Sequence, residues 1–350
     1  MSPTRRIGNS TFPGIGFGAM GISTFYGAVE SDEERFKVLD AAHAAGCTFW
    51  DTADLYGDSE ELIGKWHAYL LIPALCVPAV NRNPRFKRTG KRDDIFLCSK
   101  FGFTLPTFAL DGSPEYVRKA TESSLKKLGV DCIDLGPISM FRLNTPVAAM
   151  AEFVKAGKVK YLGLSEVSAD TLRRAHAVHP ISALQVEYSP FTLDIEDPKI
   201  GLLATARELG VKVVAYSPLG RGLLTGQYKS PDDFEDGDFR KAIPRYSADN
   251  FPNILKLADG LKSIGTKYGG ATAGQVALAW LLAQGDDVIP IPGTKKIKYL
   301  EENIAAGKLT LSAEDVQAVR DVAAKADAAQ GDRYPAAMLA QMFIDTPALT

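Results

Sequence analysis

Cysteine is scarce in this chain: four residues, Cys47, Cys76, Cys98 and Cys132, stand far apart with no paired spacing. That excludes a disulfide scaffold and a zinc knuckle, points to a reducing compartment and leaves no metal site to expect. Long apolar runs are missing too. No stretch reaches the roughly 18 residues that a membrane span needs, and the opening MSPTRRIGNSTFPG carries no apolar signal segment, so a cytosolic protein is expected. Neither sign of charge prevails: 40 Lys and Arg face 42 Asp and Glu, a net charge of −2, which offers no footprint for nucleic acid or an anionic membrane. Short repeats and low-complexity tracts are absent. What remains is ordinary for a soluble enzyme, with 46% apolar and 23% charged residues. At 350 residues the chain has the length of one large α/β domain or two ordinary ones, and either buries a sizeable core.

Short apolar runs do recur, and amphipathic stretches separate them. The runs are GIGFGAM (14–20), CTFWD (47–51), DIFLCSK (94–100), DCIDL (131–135), VKYLGLS (159–165), ALQVEYS (183–189), VKVVAYS (211–217) and DVIPIPG (287–293). Between them lie helical patterns such as SDEERFKVLDAAHAAG, SPEYVRKATESSLKKLG, SADTLRRAHAV and IGLLATARELG. Ser31 and Ser113 precede acidic first turns as N-caps, and Gly46, Gly129 and Gly210 stand as C-cap glycines. Strand–helix alternation implies a parallel sheet. Eight such units with no linker suit a closed (β/α)8 barrel better than an open sheet, as a single domain over 1–350.

One motif argues for a rival. Gly16-Phe-Gly18-Ala-Met-Gly21 fits the G-x-G-x-x-G spelling of an open, dinucleotide-binding sheet, in which the glycines turn directly into a helix. Here Ile22 to Glu30 reads as a loop, with the first helical pattern starting near Asp32, and the next strand-end acid, Asp51, lies beyond the usual spacing of about 20 residues. The glycines read better as a close-packed first barrel strand.

In such a barrel the reactive groups stand at the C-terminal strand ends. This chain places Asp51, Lys100, Ser165 and Glu166, Gln185, Tyr216 and Ser217, and Gly293 and Thr294 there. Six strands ending in polar residues or glycine define a ring around a pocket. From FWDTADLYG alone, a capping aspartate and a structural loop tyrosine would read the same. Lys100 at the end of the next strand turns the reading toward chemistry. An unperturbed tyrosine, with a pKa near 10, is a poor acid at neutral pH; a nearby ammonium lowers that pKa, and an aspartate holds the ammonium in place.

The whole pattern resembles the aldo-keto reductases. FWDTADLYG, FLCSKFG, KYLGLSE, LQVEYSP, AYSPLGRGLLTG and IPIPGTKKIKYLEEN are similar to that family's segments, in its fungal and plant branch. The resemblance implies NADPH-dependent reduction of a small aldehyde or ketone, with Asp51, Tyr56 and Lys100 as catalytic residues. It further implies that Ser165 and Gln185 bond the nicotinamide carboxamide and that Tyr216 lies against the ring. Ser217, Pro218, Leu219, Gly220, Arg221 and Gly222 would meet the pyrophosphate. Gly293, Thr294 and Lys295, with Lys296 and Lys298 close by, suit a 2′-phosphate, and Glu302 and Asn303 the adenine.

Two stretches depart from the family pattern. The family's catalytic histidine follows the fourth strand, yet this chain reads DLGPISMFR, with Ser139 in the histidine's place. HAYLLIPALCVPAVNRNPR (67–85) is an apolar, proline-broken insertion. Translated intervening sequence and a displaced splice junction would produce both. The missing histidine also supports an alternative: a regulatory or redox-sensing barrel that binds NADPH and turns it over little.

Overall fold

A computed structural model describes residues 3–67, 92–104, 109–139, 145–340 and 342–343. An antiparallel hairpin, β1 (Thr4–Ile7) and β2 (Ser10–Pro13), leads into a parallel sheet. Its eight strands are β3 (Phe17–Gly18), β4 (Phe49–Asp51), β5 (Phe96–Lys100), β8 (Ile133–Ser139), β9 (Val159–Ser165), β10 (Ile181–Glu187), β11 (Lys212–Tyr216) and β12 (Val288–Pro290), with a small hairpin β6 (Phe103–Thr104) and β7 (Ala109–Leu110) after β5. Neighbours pair in sequence order. Gly16 N donates to Pro290 O at 2.9 Å and Gly18 N to Pro292 O at 3.2 Å, which closes the sheet on itself. All eight expected runs are strands of one (β/α)8 barrel.

The helices form where the sequence patterns lie: α2 (Asp32–Ala44), α4 (Pro114–Leu128), α6 (Ala169–Val178) and α7 (Leu202–Glu208) among them. Ser31 caps α2 by accepting from Glu34 N, Ser113 caps α4 by accepting from Tyr116 N, and Gly129 ends α4 at φ 65. Close approach explains the first-strand glycines. A Cβ on Gly18 would stand 2.8 Å from Ile291 O, and one on Gly16 would stand 2.7 Å from Phe49 Cδ1.

Two local readings need correction. Met20–Ser23 forms a one-turn helix, α1, so Ile22 and Ser23 are helical and the loop is shorter than expected; the main helix still starts at Asp32. The fourth strand runs on through Gly-Pro to Ser139. Parallel pairing of Lys100 with Ile138 and of Ser139 with Leu164 carries it past the proline, and the register shift between Gly136 and Ser139 accommodates the missing N–H.

Packing decides which end of the barrel is open. Ile7 and Phe12 of the first hairpin plug the N-terminal end, where Phe12 meets the rings of Phe49 and Phe96 at 4.7 and 4.9 Å. Leu135, Ala183, Val214 and Ile289 fill the lumen behind them. The polar residues are left at the opposite end, level with one another: Gln185 pairs with Ser165, and Glu187 with Tyr216.

Candidate active site

Asp51 ends β4, is 2% exposed, and holds its neighbours through both oxygens. Lys100, the last residue of β5, donates to Oδ1 through a short contact, and Gln185 Nε2 donates to Oδ2 at 2.7 Å. Lys100 Nζ also donates to Thr52 O at 2.9 Å and lies 4.8 Å from the centre of the Tyr56 ring. The loop that carries Tyr56 is tied at several points. Asp54 N donates to Lys100 O at 2.9 Å, Tyr56 N to Ala53 O at 3.1 Å, and Ser59 N to Tyr56 O at 3.0 Å. From outside, buried Arg35 of α2 grips Asp58 with both terminal nitrogens at 2.6 and 2.7 Å. The three expected catalytic residues therefore meet at one point.

The electrostatics differ from the expectation in one respect. Burial pushes the Tyr56 phenol above its ordinary value; Lys100 pulls it down and Asp51 pushes it up, with a net rise. Burial works against the Lys100 ammonium, but Asp51 and Tyr56 outweigh it and its pKa is raised. The pair consists of a firmly charged lysine beside a firmly protonated phenol. Tyr56 can thus give a proton at neutral pH, although it has not become a stronger acid. Close by, Asp54 is pushed up to about 7, by burial first and then by Glu60.

Ser165 and Tyr216 stand half-buried at the ends of β9 and β11. Gln185 is turned to Asp51, as described. Beyond Tyr216 the chain makes a turn in which Gly220, Arg221 and Gly222 are all left-handed, at φ 55, 55 and 93. The Arg221 guanidinium faces inward, 3.5 Å from Glu187 and 4.5 Å from the centre of the Tyr334 ring. Leu219 and Glu302 both lie close to Gly274, where an added Cβ would stand 3.6 Å from Leu219 Cδ2 and 3.8 Å from Glu302 Oε1. Thr272 Oγ1 donates to that carboxylate at 2.6 Å, and Asn303 beside it is buried. At the last strand end, the amides of Gly293, Thr294 and Lys295 have no hydrogen-bond partner among the described residues. Successive open amides beside a hydroxyl and an ammonium are chemically suited to an anion. Gly293 is required there, since a Cβ would stand 2.6 Å from Gly18 O. Lys295 reaches back to the first loop, donating to Ala28 O at 2.7 Å and to Tyr26 O through a short contact.

Of the aromatic residues near the mouth, Phe25 meets the Tyr56 ring edge-on at 6.5 Å. Phe141 and most of the 67–85 insertion lie outside the described residues, as does the side chain of Ser139. His43, His176 and His179 are on or just after α2 and α6, and His67 ends α3 (Ser59–His67). The sequence reading missed Glu187, Arg333 and Tyr334, and used Glu166 only as a strand-end marker. Glu166 and Glu187 are each 3% exposed, and Arg333 bridges them at 2.6 and 3.3 Å. One signal was available: two strands end in acids, SE and VE, which need cations once buried.

A closed (β/α)8 barrel that gathers Tyr56, Lys100 and Asp51 at its C-terminal mouth, with a turn of open amides beside them, has the layout of an oxidoreductase. Residues 14–324 match the model of the Aldo/keto reductase family, and the chain belongs to that family. The chain is 61% identical to aldo-keto reductase str7 of Strobilurus tenacellus, over 99% of this chain and 98% of that one. To aldo-keto reductase yakc of Schizosaccharomyces pombe, whose name carries NADP(+), it is 48% identical over the same shares. Among solved structures, a glycerol dehydrogenase from Gluconobacter oxydans superposes with a TM-score of 0.76 at 24% identity, over 99% of each chain, and speaks for the fold. No helix among the described residues is long and apolar enough to cross a membrane.

Proposed function

We propose that this protein reduces a small aldehyde or ketone to the alcohol, with NADPH as the hydride source and Tyr56 as the proton donor. One observation carries the reading: the Lys100 ammonium stands between buried Asp51 and the Tyr56 ring. NADPH supplies the hydride to the carbonyl carbon. Tyr56 gives its hydroxyl proton to the carbonyl oxygen, Lys100 faces the phenolate that remains, and solvent returns the proton. Asp51, itself held by Gln185, keeps Lys100 in place together with Thr52 O. The open amides of 293–295, the Thr294 hydroxyl and Lys295 suit the 2′-phosphate, and Tyr216 offers a ring face for the nicotinamide. A relative named for NADP(+) supports this choice of cofactor.

Tyr56→Phe keeps the ring and removes the proton. Turnover should fall at least about 100-fold while NADPH still binds. Unchanged turnover would end the assignment.

A further inference from the structure

The strongest unassigned feature is a charged cluster at the barrel mouth. Glu166 and Glu187 follow and end adjacent strands β9 and β10, beside Tyr216 at the end of β11. Both are 3% exposed. Two carboxylates do not stay buried together without cations. Lys100 is engaged by Asp51, so the compensation comes from elsewhere. Arg221 lies 3.5 Å from Glu187, and Arg333, far along the chain, donates to Glu166 Oε2 at 2.6 Å and to Glu187 Oε2 at 3.3 Å.

Arg333 belongs to a segment that is deliberately held. Asn250 Nδ2 donates to Ala328 O at 2.7 Å and to Gln330 O at 3.2 Å. Arg245 donates to Gly331 O from its side chain and to Asp332 O from its backbone, each at 3.1 Å. Gly331 takes φ 80 where a Cβ would stand 3.3 Å from the Arg245 backbone, so the crossing depends on glycine. The segment ends in Tyr334, stacked under the Arg221 guanidinium at 4.5 Å.

All of this converges on the Tyr216 hydroxyl. It donates to Glu166 Oε1 at 2.9 Å, lies 3.0 Å from Tyr334 Oη, and accepts from Arg333 Nη1 at 3.2 Å. We propose that Arg333 and Tyr334 are positioning residues of the cofactor site: both lock the Tyr216 ring, and Arg333, together with Arg221, offsets the charge of Glu166 and Glu187 beside the nicotinamide. The proposal rests on the reading that Tyr216 faces that ring.

The charge has a consequence for binding. The nicotinamide of NADP+ is a cation and that of NADPH is neutral. Removing Arg333 leaves Glu166 uncovered while Arg221 stays on Glu187, and one bare carboxylate near the ring favours the oxidised form. Arg333→Gln should therefore lower the ratio of Kd for NADP+ to Kd for NADPH by roughly fivefold. Arg333→Lys, which keeps the charge, should hold that ratio near the wild-type value. Tyr334→Phe removes one hydroxyl from the lock and no charge, so both nucleotides should weaken by roughly threefold with the ratio unchanged.

The experiment is fluorescence titration of full-length wild-type and variant proteins with NADP+ and NADPH, with thermal melts alongside. If Arg333→Gln does not fold, Tyr334→Phe carries the test of the lock, and Glu166→Gln, which removes a carboxylate and should raise the same ratio, carries the test of the charge. Wild-type dissociation constants in every folded variant would overturn the proposal and leave the reductase reading intact. A wild-type protein that binds neither nucleotide would overturn both.

Discussion

Replacing Lys100 with methionine tests the centre of the site, because stability and rate should respond to the same removed charge. The Lys100 side chain is 11% exposed and that of Asp51 is 3% exposed, so solvent screens the pair little. Removing one partner of a buried ion pair leaves the other charge uncompensated and costs about 3–5 kcal/mol. Here, among the described residues, Asp51 would keep only the Gln185 hydrogen bond. Asp51→Asn should cost a similar amount, by stranding the ammonium. The double variant should cost well under the sum, since neither charge is then left alone. Urea unfolding of the four proteins measures that coupling. The phenol responds in parallel. Burial already raises the Tyr56 pKa, and Lys100 is the main opposing influence. Without it the phenol becomes a weaker acid and its anion loses its counter-ion, so carbonyl reduction should fall by roughly 100-fold or more. Wild-type stabilisation also has a pH signature. Lys100 and Tyr56 both have pKa values raised on folding, so the stability they contribute is complete below their unfolded values, near 10.5 and 10, and is lost as pH climbs through the folded ones. The alkaline decline should be shallower in Lys100→Met. Additive stability losses together with an unchanged rate would refute the reasoning.

Two further outcomes follow from the cofactor turn and the fourth strand. Lys295→Ala should weaken NADPH by about 1.5–3 kcal/mol, the scale of a charge-assisted contact to phosphate, and leave NADH nearly untouched; equal weakening of both in equilibrium titrations would make the lysine a tie for the Tyr26–Ala28 loop alone. Ser139→His, at the position where the family pattern carries its histidine, should raise the rate with a broad aldehyde such as 4-nitrobenzaldehyde at least about tenfold. No gain, with NADPH still bound, would favour a barrel that binds nucleotide with little turnover, a reading that the relatives named as reductases do not support.

Much of this molecule is legible along the chain because it is local. Alternation of apolar runs with helical patterns identifies eight βα units, since period and length are properties of a few consecutive residues. Ser31, Ser113 and Gly129 mark helix ends for the same reason: a cap bonds residues three or four positions away. Asp51, Tyr56 and Lys100 are recognisable because a parallel barrel places strand ends together, so order along the chain predicts proximity. Tertiary structure alone decided the rest. Gln185 meets Asp51 across 134 residues and Arg333 meets Glu166 across 167, separations at which no local pattern specifies a partner. The direction of the Tyr56 pKa is likewise a balance between burial and a neighbouring charge. The neighbour can be named from sequence, but the depth of burial exists only once the barrel mouth has been packed.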